Sequence, residues 1–309
     1  MKLLISILTT NFSQLKKHWQ KHSVLLRKKG KRGSNVPFKG NMEGMVIILD
    51  TNTGKIIKER KLNSPSGMVI YKSKVFVNSI NKGIVYILDK KTLEIVGKIK
   101  NPLLCKPHSI VKTKRGFLIT STALDTIIEV NNKGKTLWKF CFVDNDKYKL
   151  DQLGKRRLIN WKLNHNKIIY PSLTHTTHVN FAKFKDKNNI LATLFHTGEL
   201  VEINIKNKKI RTIKGNLGHP HGFHSLAKNK NIIVDTSNNR LIVTDKNFNE
   251  LYTIFGDYSW IQSIAVNKNN IYISDADNHR IVKIDKVGVK QKEYSFSKEY
   301  RLFEIIKYK

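Results

Sequence analysis

A repeat of about 40 residues dominates the sequence from Met45 onward. The two clearest copies are VDTSNNRLIVTD, which ends at Asp245, and SDADNHRIVKID, which ends at Asp285. Looser copies are NSINKGIVYILD, TSTALDTIIEVN and TLFHTGELVEIN, and each copy follows a lead-in strand such as HSLAKNKNIIV. Short runs of Ile, Val, Leu and Tyr alternate with Asn, Gly and Lys, a pattern typical of strands and tight turns. One such unit cannot bury both of its faces, so the units must stack on their neighbours.

The period and the strand content together predict the fold. Four short strands in a repeat of about 40 residues are typical of a β-propeller blade. Five copies are visible, and apolar runs before the first copy and after the last copy can supply a sixth blade. We therefore expect an all-β, six-bladed β-propeller of four-stranded blades over residues 41–309, closed by strands from both termini.

Two segments fall outside the repeat. Residues 1–40 are rich in Lys and Arg, contain no Asp or Glu and show little strand pattern. We expect them to form a separate basic N-terminal extension, with one helix near Leu4–Arg27. Residues 142–171, called the insertion below, separate two copies of the repeat. A link of this length between blades is typical of a functional segment, so we expect it to cap one face of the propeller.

Charge and cysteine content limit the classes of partner. The chain has 57 Lys and Arg against 23 Asp and Glu, a net charge of +34, which attracts polyanions such as nucleic acid. The alternative is that the charge is compositional, because Asn and Ile are also abundant and the excess Lys is spread along the chain. No apolar run approaches the length that spans a bilayer. Cys105 and Cys141 do not make a disulfide framework, which favours reduced thiols and the cytoplasm; the alternative is a single bridge between them. We also expect a monomer.

Histidines recur near the start of the lead-in strands. Aligning these strands places Gly67, His108, His178, His224 and Gln262 in one column. The first residue of an innermost strand lies at one mouth of the central channel, so three adjacent blades would each present an imidazole there. We predict His108, His178 and His224 as catalytic residues and as ligands of one divalent ion, Zn, Fe or Mn. The alternative is a group of channel histidines that bind nothing.

Further residues are predicted to bind a ligand at the same mouth. The guanidinium group suits the bidentate grip of a carboxylate, sulfate or phosphate, so the expected ligand is a small anion. The predicted ligand-binding residues are Arg156, Arg157, Trp161, His196, His221 and Gln262. The alternative for the basic residues is that they face water. The pairs Asp235–Arg240 and Asp275–Arg280 bracket turns at a repeated spacing, and we predict that they are structural ion pairs.

Three of the repeats resemble known propeller blades. IQSIAVNKNNIYISDADNHRIVKID resembles an NHL repeat through Asp275, Asn278, His279 and Arg280, and SLAKNKNIIVDTSNNRLIVTD resembles it less fully. HSIVKTKRGFLITSTALDTIIEVNNKGKTLWKF, which begins at His108, is similar to a blade of bacterial arylsulfotransferase-type propellers. Both resemblances imply six blades.

The resemblances imply more than one class of function. Arylsulfotransferase-type propellers use a His nucleophile, which implies group transfer at His108. Peptidyl-hydroxyglycine lyases combine NHL-type blades with His ligands, which implies a metal-dependent lyase, although their Tyr and Arg motifs have no clear match here. Some NHL domains bind RNA, which implies the alternative of a non-catalytic scaffold for RNA, polyanions or protein partners.

Overall fold

The computed structural model describes residues 1–27, 34, 36, 38, 40 and 42–308. Within these residues lie one α-helix and 24 strands arranged in six four-stranded sheets. The elements in chain order are β1 (Lys2–Ile7), α1 (Phe12–Arg27), β2 (Glu43–Asp50), β3 (Ile56–Asn63), β4 (Pro65–Tyr71), β5 (Lys74–Ser79), β6 (Ile84–Asp89), β7 (Ile95–Lys100), β8 (Pro107–Lys112), β9 (Phe117–Ser121), β10 (Thr126–Val130), β11 (Thr136–Cys141), β12 (Val179–Phe184), β13 (Asn189–Leu194), β14 (Glu199–Asn204), β15 (Ile210–Lys214), β16 (Phe223–Ala227), β17 (Lys230–Asp235), β18 (Arg240–Asp245), β19 (Glu250–Phe255), β20 (Ile261–Val266), β21 (Asn270–Asp275), β22 (Arg280–Asp285), β23 (Lys290–Ser295) and β24 (Leu302–Tyr308).

Each sheet is an antiparallel meander, and the sheets confirm the predicted fold. The chain is a six-bladed β-propeller. In five blades four consecutive strands lie side by side from the innermost to the outermost, as in β4-β5-β6-β7. The second and third strands are buried on both sides because each blade is sandwiched between two others; all residues of β9 and β10 are buried. The outer strands are mostly exposed, as in β3 and β7.

The sixth blade joins the two ends of the chain. Its strand order is β24-β1-β2-β3, so the C-terminal strand is innermost and the N-terminal strands complete the sheet. Closure by strands from both termini is therefore confirmed. The predicted boundary at residue 41 is wrong, because Lys2–Ile7 is the second strand of this blade. The helix expected near Leu4–Arg27 is present as α1 at Phe12–Arg27, and residues 28–33, 35, 37 and 39 of the predicted extension lie outside the described residues.

The repeated Asp and Arg residues close the turns between second and third strands. Arg240 Nε donates to Asp235 Oδ2 at 2.6 Å, and Arg280 Nε donates to Asp275 Oδ2 at 2.9 Å. Both carboxylates are fully buried, whereas the guanidinium groups are partly exposed. The predicted structural ion pairs are confirmed.

Two long connections lie at the end of the propeller where the innermost strands begin. One is the β1–β2 connection, which contains α1, and the other runs from residue 142 to 178 and includes the insertion. Ser34 N donates to Ser172 Oγ at 2.9 Å, so the two connections touch. Phe303 of β24 packs against an apolar cluster that contains Phe12 and Leu15. We call this end of the channel the covered mouth. Among the described residues no helix is long and apolar enough to cross a membrane.

Candidate metal centre

Strand pairing shows which side chains share one level of the channel. In each blade, the residue two positions before the end of the second strand pairs with one residue of the innermost strand. These innermost-strand residues lie at the same level of the channel. These residues are Met68, Ile110, Ala182, Phe223, Ile264 and Ile305. Two positions before them lie Ser66, His108, Asn180, His221, Gln262 and Phe303. The predicted column is therefore wrong at Gly67, His178 and His224. The bulges lie at different places in the inner strands, near the start of β12 and near the end of β16, and counting along the sequence cannot reveal them.

His108, His221, His224 and Gln262 line one cavity in the channel, together with Glu304. The cavity measures about 20 Å³, which suits one water molecule or one ion and is too small for an organic anion. His224 lies in this cavity beside Phe181, with 5.7 Å between the ring centroids. The channel cavity thus collects only part of the predicted site.

A second group of imidazoles lies at the covered mouth. The side chains of His175, His178 and His196 place ring nitrogens within 4.8 Å of one another, and we call these three residues the histidine centre. His175 Nδ1 and His178 Nδ1 are 2.7 Å apart. His196 Nε2 lies 3.0 Å from the carbonyl oxygen of Ser172. His108 adjoins the centre, with its ring centroid 5.1 Å from that of His178.

The histidine centre differs from the predicted metal set. The predicted ligands were His108, His178 and His224. Among the described residues, His178 is the one of these three whose ring nitrogens lie close enough to other possible ligands to share an ion with them. His175 Nε2 is buried and has no hydrogen-bond partner among the described residues. His178 has a φ of +50°, a left-handed conformation that is unusual for a residue with a Cβ and that must be held by its surroundings.

Burial keeps all of these imidazoles neutral. Desolvation lowers the pKa of His175 and of His178 well below the ordinary value. Repulsion from Arg157 and Lys106 lowers the pKa of His175 further, and repulsion between protonated neighbouring imidazoles opposes a charge on His178. Desolvation also lowers the pKa of His196 to about 4 and that of His108 to about 4. For His224 the pKa falls to about 3, again because of burial. Neutral imidazoles are the form that binds metal ions, so no ligand has to lose a proton near neutral pH.

The predicted ligand-binding residues lie in three different places. His196 belongs to the histidine centre, whereas His221 and Gln262 line the channel cavity. Arg156 is exposed and lines a surface cleft of about 320 Å³ with Trp161, whose ring lies 3.7 Å below Lys139 Nζ. Arg157 is buried and paired with Asp125, although it borders the same cleft.

Sequence reasoning missed three residues of this region, which are His175, Asp125 and Glu304. His175 lies three positions before His178 in LTHTTHVN, and that spacing was the available signal. Glu304 interrupts the apolar run RLFEIIKY, and a lone acid in an inner strand was also a signal. Burial raises the pKa of Glu304 to about 8, so this carboxyl group is mostly protonated at pH 7. For Asp125 no sequence pattern pointed to its role.

Comparison with known proteins supports the fold. No protein-family model matches the chain, and no curated protein matches it. Among solved structures, a chain of a nidogen/laminin complex matches with a TM-score of 0.63 at 13% identity, covering 99% of this chain and 98% of that chain. A protein of unknown function from Bacteroides caccae matches with a TM-score of 0.64 at 14% identity, covering 99% and 97%. Virginiamycin B lyase from Staphylococcus aureus matches with a TM-score of 0.54 at 14% identity, covering 85% and 83%.

These similarities show a shared fold and no more. Propellers with unrelated activities share this architecture, and side chains at the channel mouth decide what each one binds. The resemblance to NHL repeats and to arylsulfotransferase-type blades therefore stays a prediction.

Proposed function

We propose that this propeller binds one divalent transition-metal ion through His175, His178 and His196. The proposal rests above all on the mutual proximity of their ring nitrogens in a neutral cluster, in which His175 is buried and the other two are half-buried. The buried Nε2 of His175 supports it, because an unpaired buried polar atom is costly unless something binds it.

The ligand set favours particular ions. A tetrahedral ion with nitrogen ligands at about 2.05 Å holds those nitrogens about 3.3 Å apart. The 4.8 Å limit on the distances in the histidine centre leaves only small side-chain movements to reach that spacing. Imidazole suits Zn and Fe, whereas Mn prefers oxygen ligands, so of the three predicted ions we favour Zn²⁺ or Fe²⁺.

Three protein ligands leave at least one coordination position open. An open position on such an ion binds water or a small anion, and a bound water loses a proton much more readily than bulk water. The ion would then act in a lyase or group-transfer reaction on a small anionic ligand. The channel cavity is too small for such a ligand, so we expect the ligand to approach beside the insertion, where the cleft lined by Arg156 and Trp161 opens.

Metal analysis of protein prepared without a His tag tests this proposal. We expect about one zinc ion per chain, and His196→Ala should weaken zinc binding by at least about 100-fold because it removes a direct ligand. The matched control is His224→Ala, which removes a half-buried imidazole of the channel cavity and should leave zinc binding unchanged. A wild-type protein that binds no stoichiometric ion, or a His196→Ala variant that binds zinc normally, would show that the cluster is not a metal site.

A second candidate function is polyanion binding, which the outer strands favour. Lys58 and Lys61 of β3 and Lys98 and Lys100 of β7 are exposed on a chain of net charge +34. If this surface binds nucleic acid, the affinity for an oligonucleotide should fall steeply between low and moderate salt, because binding releases counterions. The His196→Ala variant should bind the oligonucleotide as the wild type does. An affinity that is independent of salt would rule out this function.

We also propose a reducing compartment such as the cytoplasm. Cys105 and Cys141 are both buried free thiols. Burial raises the pKa of Cys105 to about 12 and that of Cys141 to about 11, so neither thiol is activated for redox chemistry. Fully reduced thiols after purification without reductant, measured by mass spectrometry, are the expected result.

A further inference from the structure

The Asp125 carboxylate lies behind the histidine centre and is fully buried. Asp125 Oδ2 accepts a hydrogen bond from Thr176 N at 2.8 Å. Asp125 Oδ1 accepts from Thr177 N at 2.9 Å, from Thr177 Oγ1 at 3.0 Å and from His178 N at 2.6 Å. One carboxylate thus satisfies three consecutive backbone donors of the loop that carries His175 and His178. These bonds hold His178 in its left-handed conformation.

Arg157 of the insertion completes this network. Its Nη1 forms an ion pair with Asp125 Oδ2, and its Nη2 donates to the carbonyl oxygen of Ala123. The guanidinium side chain is only 6% exposed, so both charges are removed from water. A buried carboxylate without its cation is strongly unfavourable, and Asp125 therefore depends on the docking of the insertion.

The turn itself does not require this carboxylate. Asp125 has a φ of +48°, and the same place between second and third strands in four other blades holds Gly83, Gly198, Asn239 or His279, each also with positive φ. Asn and Gly satisfy the backbone of that turn without any charge. The acid at this position therefore needs another explanation.

The contacts of Asp125 also differ from those of the repeated acids. Asp275 accepts hydrogen bonds from Ser259 N and Trp260 N, which enter the same blade. Asp125 belongs to the blade of β8–β11 but accepts from residues that enter the next blade, at β12. Asp125 therefore links the blade of β8–β11, the insertion and the loop that carries His175 and His178.

We infer that Asp125 and Arg157 are positioning residues that make assembly of the histidine centre depend on docking of the insertion. This inference rests on the proposed metal function. When the insertion is docked, Arg157 neutralises Asp125, and Asp125 fixes the backbone at Thr176–His178 so that the rings of His175 and His178 face His196. When it is undocked, Asp125 loses its cation and the three ligands lose their common geometry. Access of a ligand and assembly of the ion site are then controlled by the same segment.

Asp125→Asn tests the inference, because the amide keeps the shape and removes the charge. We expect zinc affinity to fall by about 10- to 100-fold, the range found when groups that orient metal ligands are replaced. The visible spectrum of the Co²⁺-substituted protein should also change, since it reports coordination geometry rather than stability. The matched control is Asp275→Asn, which removes a buried carboxylate from another blade and should lower thermal stability without changing the Co²⁺ spectrum.

Arg157→Lys provides a second variant that keeps the positive charge. It should fold and show a zinc affinity between those of the wild type and Asp125→Asn, because one ammonium group cannot contact both Asp125 and Ala123. Wild-type affinity and an unchanged Co²⁺ spectrum in Arg157→Lys and in any folded Asp125→Asn would overturn the inference alone. A wild-type protein that binds neither zinc nor cobalt would overturn the proposed metal function as well.

Discussion

Removing residues 1–8 should abolish folding of the entire propeller. Leu3, Leu4, Ile5 and Ile7 of β1 are all fully buried. Leu3, Ile5 and Ile7 pack in the cluster that includes β21 and β22, whereas Leu4 packs in the cluster of β5 and β6. Burial of four such side chains contributes roughly 6–12 kcal/mol, which is comparable with the whole free energy of unfolding of a typical domain. Circular dichroism and soluble yield of the truncated chain provide the measurement.

Point variants separate the effect of disrupting β1 from the effect of shortening the chain at its N-terminus. The side chains of Leu4 and Ile5 face different neighbouring blades. Leu4→Asp and Ile5→Asp should each prevent folding, because each buries an unpaired charge. Lys2→Asp is the control, since Lys2 is the exposed residue of the same strand. A truncated chain with the wild-type melting temperature would show that the sixth blade closes without β1.

Glu304→Gln should stabilise the protein at neutral pH by about 3 kcal/mol. The pKa of Glu304 is about 8 in the folded chain, against an ordinary value of 4.5. Between these two values the unfolded chain releases the proton and the folded chain keeps it, so stability falls as the pH rises from 4.5 towards 8. Glutamine cannot ionise, and its carbonyl oxygen can still accept the hydrogen bond from Met68 N. We expect a melting temperature several degrees above that of the wild type at pH 7.

The pH dependence of this gain is the decisive measurement. The difference in free energy of unfolding between Glu304→Gln and the wild type should shrink to below about 0.5 kcal/mol at pH 4.5, where only half of the unfolded wild-type chains are ionised at this position. Glu59→Gln, on the exposed outer strand β3, is the control and should give no such pH-dependent gain. A stability difference that stays constant from pH 4.5 to 8 would mean that Glu304 is not protonated in the folded chain at neutral pH.

Much of the candidate site could not be read from the sequence because its spacing is set by bulges and loops. The alignment of the lead-in strands brought His108 to the channel correctly, even though a bulge lies between Pro107 and Ile110 of that strand. At His178 and His224 the count failed by two and three positions, and Asn180 and His221 occupy the channel level instead. Arg157 was recognised as a basic residue suited to carboxylates, but the carboxylate that it grips is Asp125 of the same chain.

The sequence by itself determined the six blades, the closure by both termini and the Asp–Arg turns, because each of these follows from contacts that repeat about every 40 residues. It did not determine that MKLLISI is a strand, because that identity depends on pairing with Leu302–Tyr308 at the other end of the chain. Only the tertiary structure decided that His175, His178 and His196 meet. Their proximity depends on a buried carboxylate from one blade, an arginine from the insertion and a backbone conformation in the loop that enters the next blade, and none of these is encoded by a local pattern.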